Sequence, residues 1–560
     1  MANYRSRQLR DLVTREVILS SSPTRLAACA MSGMLECRVV RCEHEIRPDH
    51  HVVPAKAGSS WTSLLPTWSN SAAGASNSGR TTEGPEKPGR GGRSLTRSLT
   101  RQRSLKTQEI SGFRNPWPSW HKPTSVEVWQ ALEWGEDRDP CIALAQSHVT
   151  DRQKVGRCPS SSSSISAQVS SESAKSYAAE LLRVTKPDFS FNAQSNQAKT
   201  TWLGHAGVVV QLPPLNKNGR PLRCLFDPIF SLRCSPTQAA GPTRSYPPPC
   251  AVADFPEIDV VMISHNHYDH LDFDTIMALW KRNTRHLRFV VPLGNRQWFL
   301  DSGIDPGHVV ELDWWDAIHL TAADTDGKEG VEESSSLKIT CTPSQHGSGR
   351  SGTDANASLW SSWYLEHSSA RGQFYRVFFA GDSGYQFHAS PGWPPAPPEK
   401  GRKQVAARSN DDSPQALHPI CPIFDEIAKR LGSPHLLMLP IAVGATFDYL
   451  RSMAPVPDSM NPIPRHSPGV TAHNHMPPWD AVRVFRAMTK DGSCAGDRPV
   501  AVAMHWGTFT IDAVEVLKTL GQLEWACEAH DVRFARDLER HDEDSEACFL
   551  ALNHGESVTT

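Results

Sequence analysis

The chain has 560 residues, a formal net charge of -2 at pH 7 and 39% hydrophobic residues. A charge so near zero gives no support to general nucleic-acid binding, and the sequence contains no run of 18 apolar residues that would span a bilayer. The 13 cysteines form no Cys-x-x-Cys pair, which is typical of reduced thiols inside a cell rather than of a disulfide framework.

Residues 1–111 have the composition of a disordered tail. Ser, Gly, Thr and Pro dominate residues 69–92, and residues 93–101 repeat the tetrapeptide Arg-Ser-Leu-Thr. Such a segment buries too little apolar surface to offset the entropy that is lost when a chain becomes ordered. We therefore predict a basic, low-complexity tail that the folded part does not need. Within it, Cys37, Cys42, His44, His50 and His51 have a spacing that matches no common metal site.

Residues 112–199 are predicted to form an extended arm, a short helix and a Ser-rich loop. The segment Asn-Pro-Trp-Pro-Ser-Trp at 115–120 sets tryptophans among prolines, which is typical of an extended arm packed on a globular body. Residues 125–134 have the apolar spacing of a short helix that stops at Gly135.

From residue 200 onward, apolar runs of strand length recur along the chain. The predicted strands cover residues 200–210, 223–228, 258–263, 289–294, 309–316, 337–342, 358–365, 376–380, 436–441 and 499–504. The predicted helices cover residues 275–280, 424–431, 479–490 and 513–530. This order favours an α/β fold of two sheets between helices over residues 200–535, followed by a polar tail over 536–560.

The strand at 258–263 ends in Ser-His-Asn-His-Tyr-Asp-His. His265 and His267 alternate, so on extended backbone they point the same way, and Asp269 and His270 follow on the turn. A lone His-x-His at a strand end is more often structural. Three imidazoles and a carboxylate at this density instead suit a borderline divalent metal, chiefly zinc. The motif predicts a metal site, for two ions.

Three later strands also end in candidate ligands. His346 follows the strand at 337–342, Asp382 the strand at 376–380 and His505 the strand at 499–504. Each is weak evidence alone, but together they complete two sites that share one carboxylate. His205 and Asp227, near the ends of the first two strands, are predicted either to orient ligands or to pack structurally.

The pattern resembles that of the metallo-β-lactamase superfamily, whose fold is an αβ/βα sandwich. Within it, the chain is similar to the N-acylphosphatidylethanolamine-hydrolysing phospholipase D family over about residues 112–535. The matching segments include residues 115–120, 201–206, 227–231, 263–272, 291–294, 311–315, 342–346, 378–385 and 505–509.

The resemblance implies a metal centre with two zinc ions. One zinc would be held by His265, His267 and His346, and the other by Asp269, His270 and His505. Asp382 would bridge the two ions, so Asp269 and Asp382 are the expected catalytic carboxylates. The expected substrate contacts are Tyr268 and His475. The stretch at residues 441–446, upstream of His475, departs from the sequence of the animal enzymes. Iron in place of zinc is left open.

The same resemblance implies a phosphodiesterase that releases N-acylethanolamine and phosphatidate from a phospholipid at a membrane surface. We expect no nucleic-acid partner, and a homodimer is compatible with the resemblance. The expected location is intracellular, either cytoplasmic or peripheral on an internal membrane. Two alternatives remain: a related hydrolase of a soluble phosphodiester or lactone, and a catalytically idle lipid-binding protein.

Overall fold

The computed structural model describes residues 13–17, 35–43, 48–52, 110–135, 137, 139, 141–142, 145, 171–192, 197–216, 219–322, 335–369, 372–388, 418–443, 460–490, 498–510, 513–538 and 547–560.

Two β-sheets face each other and contain 17 of the 21 strands of the described residues. The larger sheet has ten strands, in the spatial order Val13–Val17 (β1), Leu35–Glu43 (β2), Ala317–Ala322 (β12), Ser336–Thr342 (β13), Ser362–Ser368 (β14), Phe374–Phe379 (β15), Leu436–Pro440 (β16), Val500–Met504 (β18), Cys548–Leu550 (β20) and Arg533–Ala535 (β19). The smaller sheet has seven, in the order Val309–Leu312 (β11), Arg288–Pro292 (β10), Val260–Met262 (β9), Leu222–Phe226 (β8), Gly207–Leu212 (β7), Lys199–Gly204 (β6) and Ser557–Thr559 (β21).

Two short ladders lie outside these sheets. Leu132–Glu133 (β5) pairs with Arg465–His466 (β17), and His51–Val52 (β3) pairs with Gly112–Phe113 (β4).

The smaller sheet is buried on both faces, because its side chains alternate between two apolar cores. In β8, Phe226 faces the larger sheet, where its ring lies 4.7 Å from that of Phe379, while Leu225 faces the opposite way. In β9, Val260 likewise packs in the core between the sheets. Continuous apolar strands of this kind are expected where a sheet is covered on both sides.

Helices cover the outer faces of both sheets. Phe273–Arg282 and Arg296–Asp301 (α3 and α4) pack on the smaller sheet through side chains such as Ile276 and Phe299. Ile423–Leu431, Pro478–Thr489 and Ala513–Ala529 (α5, α6 and α7) pack on the larger sheet. Two further α-helices of the described residues are Ser125–Gln130 (α1) and Ser171–Leu181 (α2). The predicted αβ/βα sandwich is confirmed.

The hairpin at the start of the smaller sheet differs from the prediction. Residues 200–210 were expected as one strand, but β6 and β7 pair antiparallel around a turn at His205 and Ala206. The apolar run continues through the turn because both strands are buried on both faces, so hydrophobicity alone does not mark the reversal.

Both predicted tails contain ordered segments. Most of residues 1–111 lies outside the described residues, yet β2 pairs along β12 and buries Val39, so the prediction of a disordered tail is wrong there. The polar tail predicted over 536–560 is wrong for residues 547–560, which add β20 to one sheet and β21 to the other. In both cases a short run of strand-forming residues lies within a mostly polar segment, and composition alone did not reveal it.

Among the described residues, no helix combines the length and apolar character needed to cross a bilayer.

Candidate metal centre

The seven predicted ligands meet at one edge of the sandwich. Residues 263–272 form the loop between β9 and α3, and we call it the motif loop. The other donors come from the larger sheet, where His346 follows β13, Asp382 follows β15 and His505 follows β18. Strand ends from two facing sheets therefore bring together side chains that lie up to 240 positions apart.

Three imidazole nitrogens converge on one point. Nε2 of His265 lies 2.8 Å from Nδ1 of His267 and 3.1 Å from Nε2 of His346, and the third nitrogen pair is 3.4 Å apart. Ligands at the usual Zn–N distance of about 2.0–2.1 Å in a tetrahedral site lie about 3.3 Å from one another. The spacing of these three nitrogens therefore fits a single divalent ion.

A second group lies beside the first. Oδ2 of Asp269 is 3.5 Å from Nε2 of His270, 3.6 Å from Nε2 of His505 and 2.9 Å from Nε2 of His205. His205 was expected to orient ligands or to pack, and the structure places it against a predicted ligand. Its ring nitrogen faces the same group of potential metal donors.

Asp382 lies between the two groups. Its Oδ2 atom is 2.9 Å from Nε2 of His270 and 3.0 Å from Nε2 of His505 in the second group. The same oxygen is 3.8 Å from Nε2 of His265 and 4.0 Å from Nε2 of His346 in the first. One buried carboxylate oxygen is thus shared by imidazoles of both groups.

Several buried side-chain nitrogen and oxygen atoms at this centre have no well-aligned hydrogen bond among the described residues. They are Nε2 of His270, Nδ1 and Nε2 of His505, and Oδ1 of Asp382. Buried polar groups are ordinarily satisfied, and each exception calls for an explanation such as an ion. The donor set of imidazoles and carboxylates suits a divalent metal, so these residues fit such a group.

Comparison with known proteins agrees with this geometry. Residues 222–390 match the family model described as the beta-lactamase superfamily domain. Residues 222–390 therefore carry a beta-lactamase superfamily domain. Six of the seven predicted ligands lie within the matched residues, and His505 lies beyond them.

Proteins similar to this chain occur in bacteria and eukaryotes. An uncharacterized protein of Mycobacterium tuberculosis is 30% identical over 321 residues, covering 57% of this chain and 62% of its own length. The N-acyl-phosphatidylethanolamine-hydrolyzing phospholipase D 1 of Caenorhabditis elegans is 27% identical over 319 residues, covering 56% of this chain and 65% of its own.

The mitochondrial N-acyl-phosphatidylethanolamine-hydrolyzing phospholipase D of Saccharomyces cerevisiae is 34% identical over 185 residues, covering 33% of this chain and 34% of its own. The chain thus spans less than two thirds of the length of each of these relatives.

Protonation differs between the two groups of candidate ligands. Burial and neighbouring imidazoles hold the pKa of His265 and of His346 well below the usual range, so these imidazoles are neutral. Burial alone would also lower the pKa of His505, but Asp382 and Asp269 outweigh it and raise that pKa to about 9. The same carboxylates, with Asp227, raise the pKa of His270. In the second group, protons therefore offset carboxylate charge that a cation would otherwise balance.

Buried neighbours fix the orientation of the ligands. Oδ2 of Asp227 lies 2.8 Å from Nδ1 of His270, and Asp227 also accepts hydrogen bonds from the backbone and hydroxyl of Ser264. His205, Asp227 and His505 all have positive φ angles, of 49°, 36° and 60°. Non-glycine residues adopt this conformation at a cost and are concentrated at functional sites.

The two predicted substrate contacts differ in position. His475 is part of the centre, with Nε2 3.4 Å from Oδ2 of Asp382 and its ring edge-on to His346. Tyr268 lies on the motif loop, and the guanidinium of Arg350 covers its ring at 3.9 Å. Arg350 also donates hydrogen bonds to the backbone carbonyls of Asn266 and Leu271, which lie on either side of Tyr268 in the same loop.

Sequence analysis missed contacts at the centre and in the N-terminal segment. Arg350 and Asn474 belong to no recognisable sequence motif. The carbonyl of Asn474 lies 2.9 Å from Nδ1 of His346. His50 and His51, which were set aside for their spacing, contact the two carboxylate oxygens of Asp313 at 2.7 and 2.8 Å. The signal there was the adjacent histidine pair, but its partner lies more than 260 positions away.

Proposed function

We propose that the protein is a zinc-dependent phosphodiesterase of the phospholipase D type that hydrolyses N-acylphosphatidylethanolamines to N-acylethanolamine and phosphatidate. The observation that carries the proposal is the position of Asp382, whose Oδ2 atom lies within 4.0 Å of four imidazoles from two ligand groups. The names of the worm and yeast relatives supply the substrate class.

In this proposal one zinc is held by His265, His267 and His346, and the other by Asp269, His270 and His505. Asp382 would bridge them. When bound, such ions would supply a nucleophile from water at neutral pH and positive charge for phosphoryl oxygens. Asp269 and Asp382 would contribute the anionic charge that both ions require.

The surrounding residues have separate tasks. Asp227 and His205 would hold His270 and Asp269 in place, as partners of metal ligands commonly do. His475 and Tyr268 would bind the substrate phosphodiester, because His475 reaches Asp382 and Tyr268 belongs to the motif loop. Arg350 would keep the Tyr268 ring in a fixed position through its stacking contact.

The substrate is insoluble, so the protein would act while attached peripherally to an intracellular membrane. A homodimer would be compatible with this arrangement.

The test uses the zinc-loaded full chain and vesicles that contain N-acylphosphatidylethanolamine, with the reaction run in ¹⁸O-labelled water. Attack at phosphorus predicts N-acylethanolamine and phosphatidate, with the label only in phosphatidate. Release of free fatty acid, or label in the ethanolamine, would contradict the proposal. A soluble bis-nitrophenyl phosphate is assayed in parallel, since turnover indifferent to the lipid surface would favour a soluble substrate.

Asp382→Asn should abolish the lipid activity and should lower the amount of bound zinc by about half or more. The matched control is Glu366→Gln, which makes the same chemical change in an ion pair with Lys338 on the larger sheet. The control should retain full zinc and full turnover. Equal zinc and equal turnover in Asp382→Asn and wild type would overturn the assignment of this carboxylate.

A further inference from the structure

The arm at residues 112–120 reaches the centre directly through Asn115. Its side-chain amide pairs with the peptide of His346: Nδ2 donates to the His346 carbonyl at 2.6 Å, and Oδ1 accepts from the His346 N–H at 3.2 Å. Among side chains of this length, only asparagine supplies a donor and an acceptor in one planar group. Asn115 therefore pairs with His346 as a neighbouring strand would.

Gln345, the residue before His346, is held by hydrogen bonds to its side-chain amide. The hydroxyl of Ser119 donates to Oε1 of Gln345, and Nε2 of Gln345 donates to the carbonyl of His473 at 2.7 Å. Ser119 and Gln345 are both buried. The arm is thus connected through Gln345 to the segment that carries His475.

The ring of His346 is fixed by that segment. Its Nδ1 atom lies 2.9 Å from the carbonyl of Asn474, which accepts only, so Nδ1 carries the proton and Nε2 is left free for a metal. Asn115 fixes the backbone of His346 and Asn474 fixes its ring. Together they determine where Nε2 points.

The arm itself is anchored on the sandwich. The N–H of Phe113 donates to the carbonyl of Asn356 at 2.8 Å, and the N–H of Arg114 donates to the carbonyl of His50 at 2.9 Å. The Trp117 ring stacks on Trp314 with centroids 5.4 Å apart. Because these contacts flank Asn115, its amide is already positioned before any metal binds.

We propose that Asn115 is a positioning residue for the metal centre, acting through His346, and that the arm is an integral part of the zinc site. The inference rests on the proposed role of His346 as a ligand. The loss of such a partner typically lowers metal affinity by about 10–100-fold. Since only the first ligand group contains His346, the loss should fall on one of the two zinc ions.

The experiment compares full-length wild type with Asn115→Ala and Asn115→Asp. Each protein is stripped with a chelator and titrated with zinc against a chromophoric competitor, and the melting temperature is measured with and without zinc. Asn115→Asp keeps the acceptor for the His346 N–H but faces the His346 carbonyl with negative charge, so it serves if Asn115→Ala does not fold.

The matched control is Asn283→Asp. Asn283 makes the same kind of clamp, since its Nδ2 donates to the Ile258 carbonyl and its Oδ1 accepts from the His286 N–H. It lies at the C-terminal end of α3, one helix length from the motif loop.

We expect one weakened zinc ion in both Asn115 variants, a smaller rise in melting temperature on zinc addition, and unchanged zinc affinities in Asn283→Asp. If the Asn115 variants bind both zinc ions as tightly as wild type, the positioning role of Asn115 is overturned, even if the metal-free melting temperature falls. That result would leave the proposed function intact. If wild type binds no zinc, the proposed function fails with it.

Discussion

Asp227 accepts a hydrogen bond from Nδ1 of His270 at 2.8 Å, and both side chains are completely buried. The Ser264 hydroxyl donates to the same carboxylate oxygen and lies 2.9 Å from Nδ1 of His265. One carboxylate therefore orients an imidazole of each ligand group, directly in one case and through a hydroxyl in the other. With Nδ1 protonated on both rings, Nε2 of each ring is directed to the centre.

Asp227→Asn should weaken both zinc ions, by about 10–100-fold each, because an amide presents a donor where one of the two donors now binds. The measurement is competitive zinc titration of the metal-free variant. The control is Asp259→Asn, another buried carboxylate, paired with Arg220 at the opposite end of β9. A variant at Asp227 that binds both ions as tightly as wild type would contradict this role.

Zinc binding should release protons at pH 7.5. The pKa of His505 is raised to about 9 by Asp382 and Asp269 against the effect of burial, so the metal-free imidazole is protonated at this pH and must lose that proton to bind zinc. Zinc affinity should accordingly rise with pH up to about 9. An indicator dye in weak buffer measures the release, and His505→Gln should release one proton fewer. No release from wild type would show that the imidazole is already neutral.

Tyr268→Phe and His475→Gln should raise KM on lipid vesicles several-fold while both zinc ions remain bound. Nε2 of His475 lies 3.4 Å from Oδ2 of Asp382. The His475 side chain is half-buried, whereas five of the seven proposed ligands are buried, and partial exposure is expected of a substrate contact. Steady-state kinetics and metal analysis on the same samples separate the two effects. Loss of zinc from His475→Gln would instead make His475 a ligand.

Deleting residues 1–111 should destabilise the protein. The deletion removes β2 from the edge of β12, so the apolar surface that Val39 covers becomes exposed to water. It also removes His50 and His51, the imidazole partners of the Asp313 carboxylate. Loss of one buried aliphatic side chain and of the partners of a buried charge costs at least about 3 kcal/mol. A urea titration measures this, with a chain that lacks only residues 1–12 as the control. Equal stability of the two would restore the prediction of a dispensable tail.

Acid should destabilise the metal-free protein in part through His367. Burial lowers its pKa to about 4, and its Nε2 donates to the Pro213 carbonyl at 3.0 Å. The folded pKa lies below the unfolded value of about 6.5, so the stabilising contribution is complete above pH 6.5 and is lost as pH falls toward 4.

Between pH 7 and pH 5, wild type should lose about 2 kcal/mol more free energy of unfolding than His367→Gln, whose side chain donates but does not titrate. Urea unfolding of both chelated proteins at the two pH values measures the difference. Parallel losses in the two proteins would mean that His367 does not govern this pH response.

The clustering of the seven candidate ligands could be predicted because they follow apolar strands. Strand ends of two stacked sheets converge, so His346, Asp382 and His505 meet the motif loop without any local signal beyond their position. Asn115 and Arg350 could not be predicted, because their partners are backbone groups of distant loops. The hairpin at His205 was missed because burial on both faces hides the reversal.

The most direct test of the central claim is anomalous diffraction at the zinc edge from crystals of the zinc-loaded full chain. We predict two peaks about 3.5–4 Å apart, one coordinated by His265, His267 and His346 and the other by Asp269, His270 and His505, with Asp382 in contact with both. A single peak, or zinc bound only away from these residues, would contradict the account.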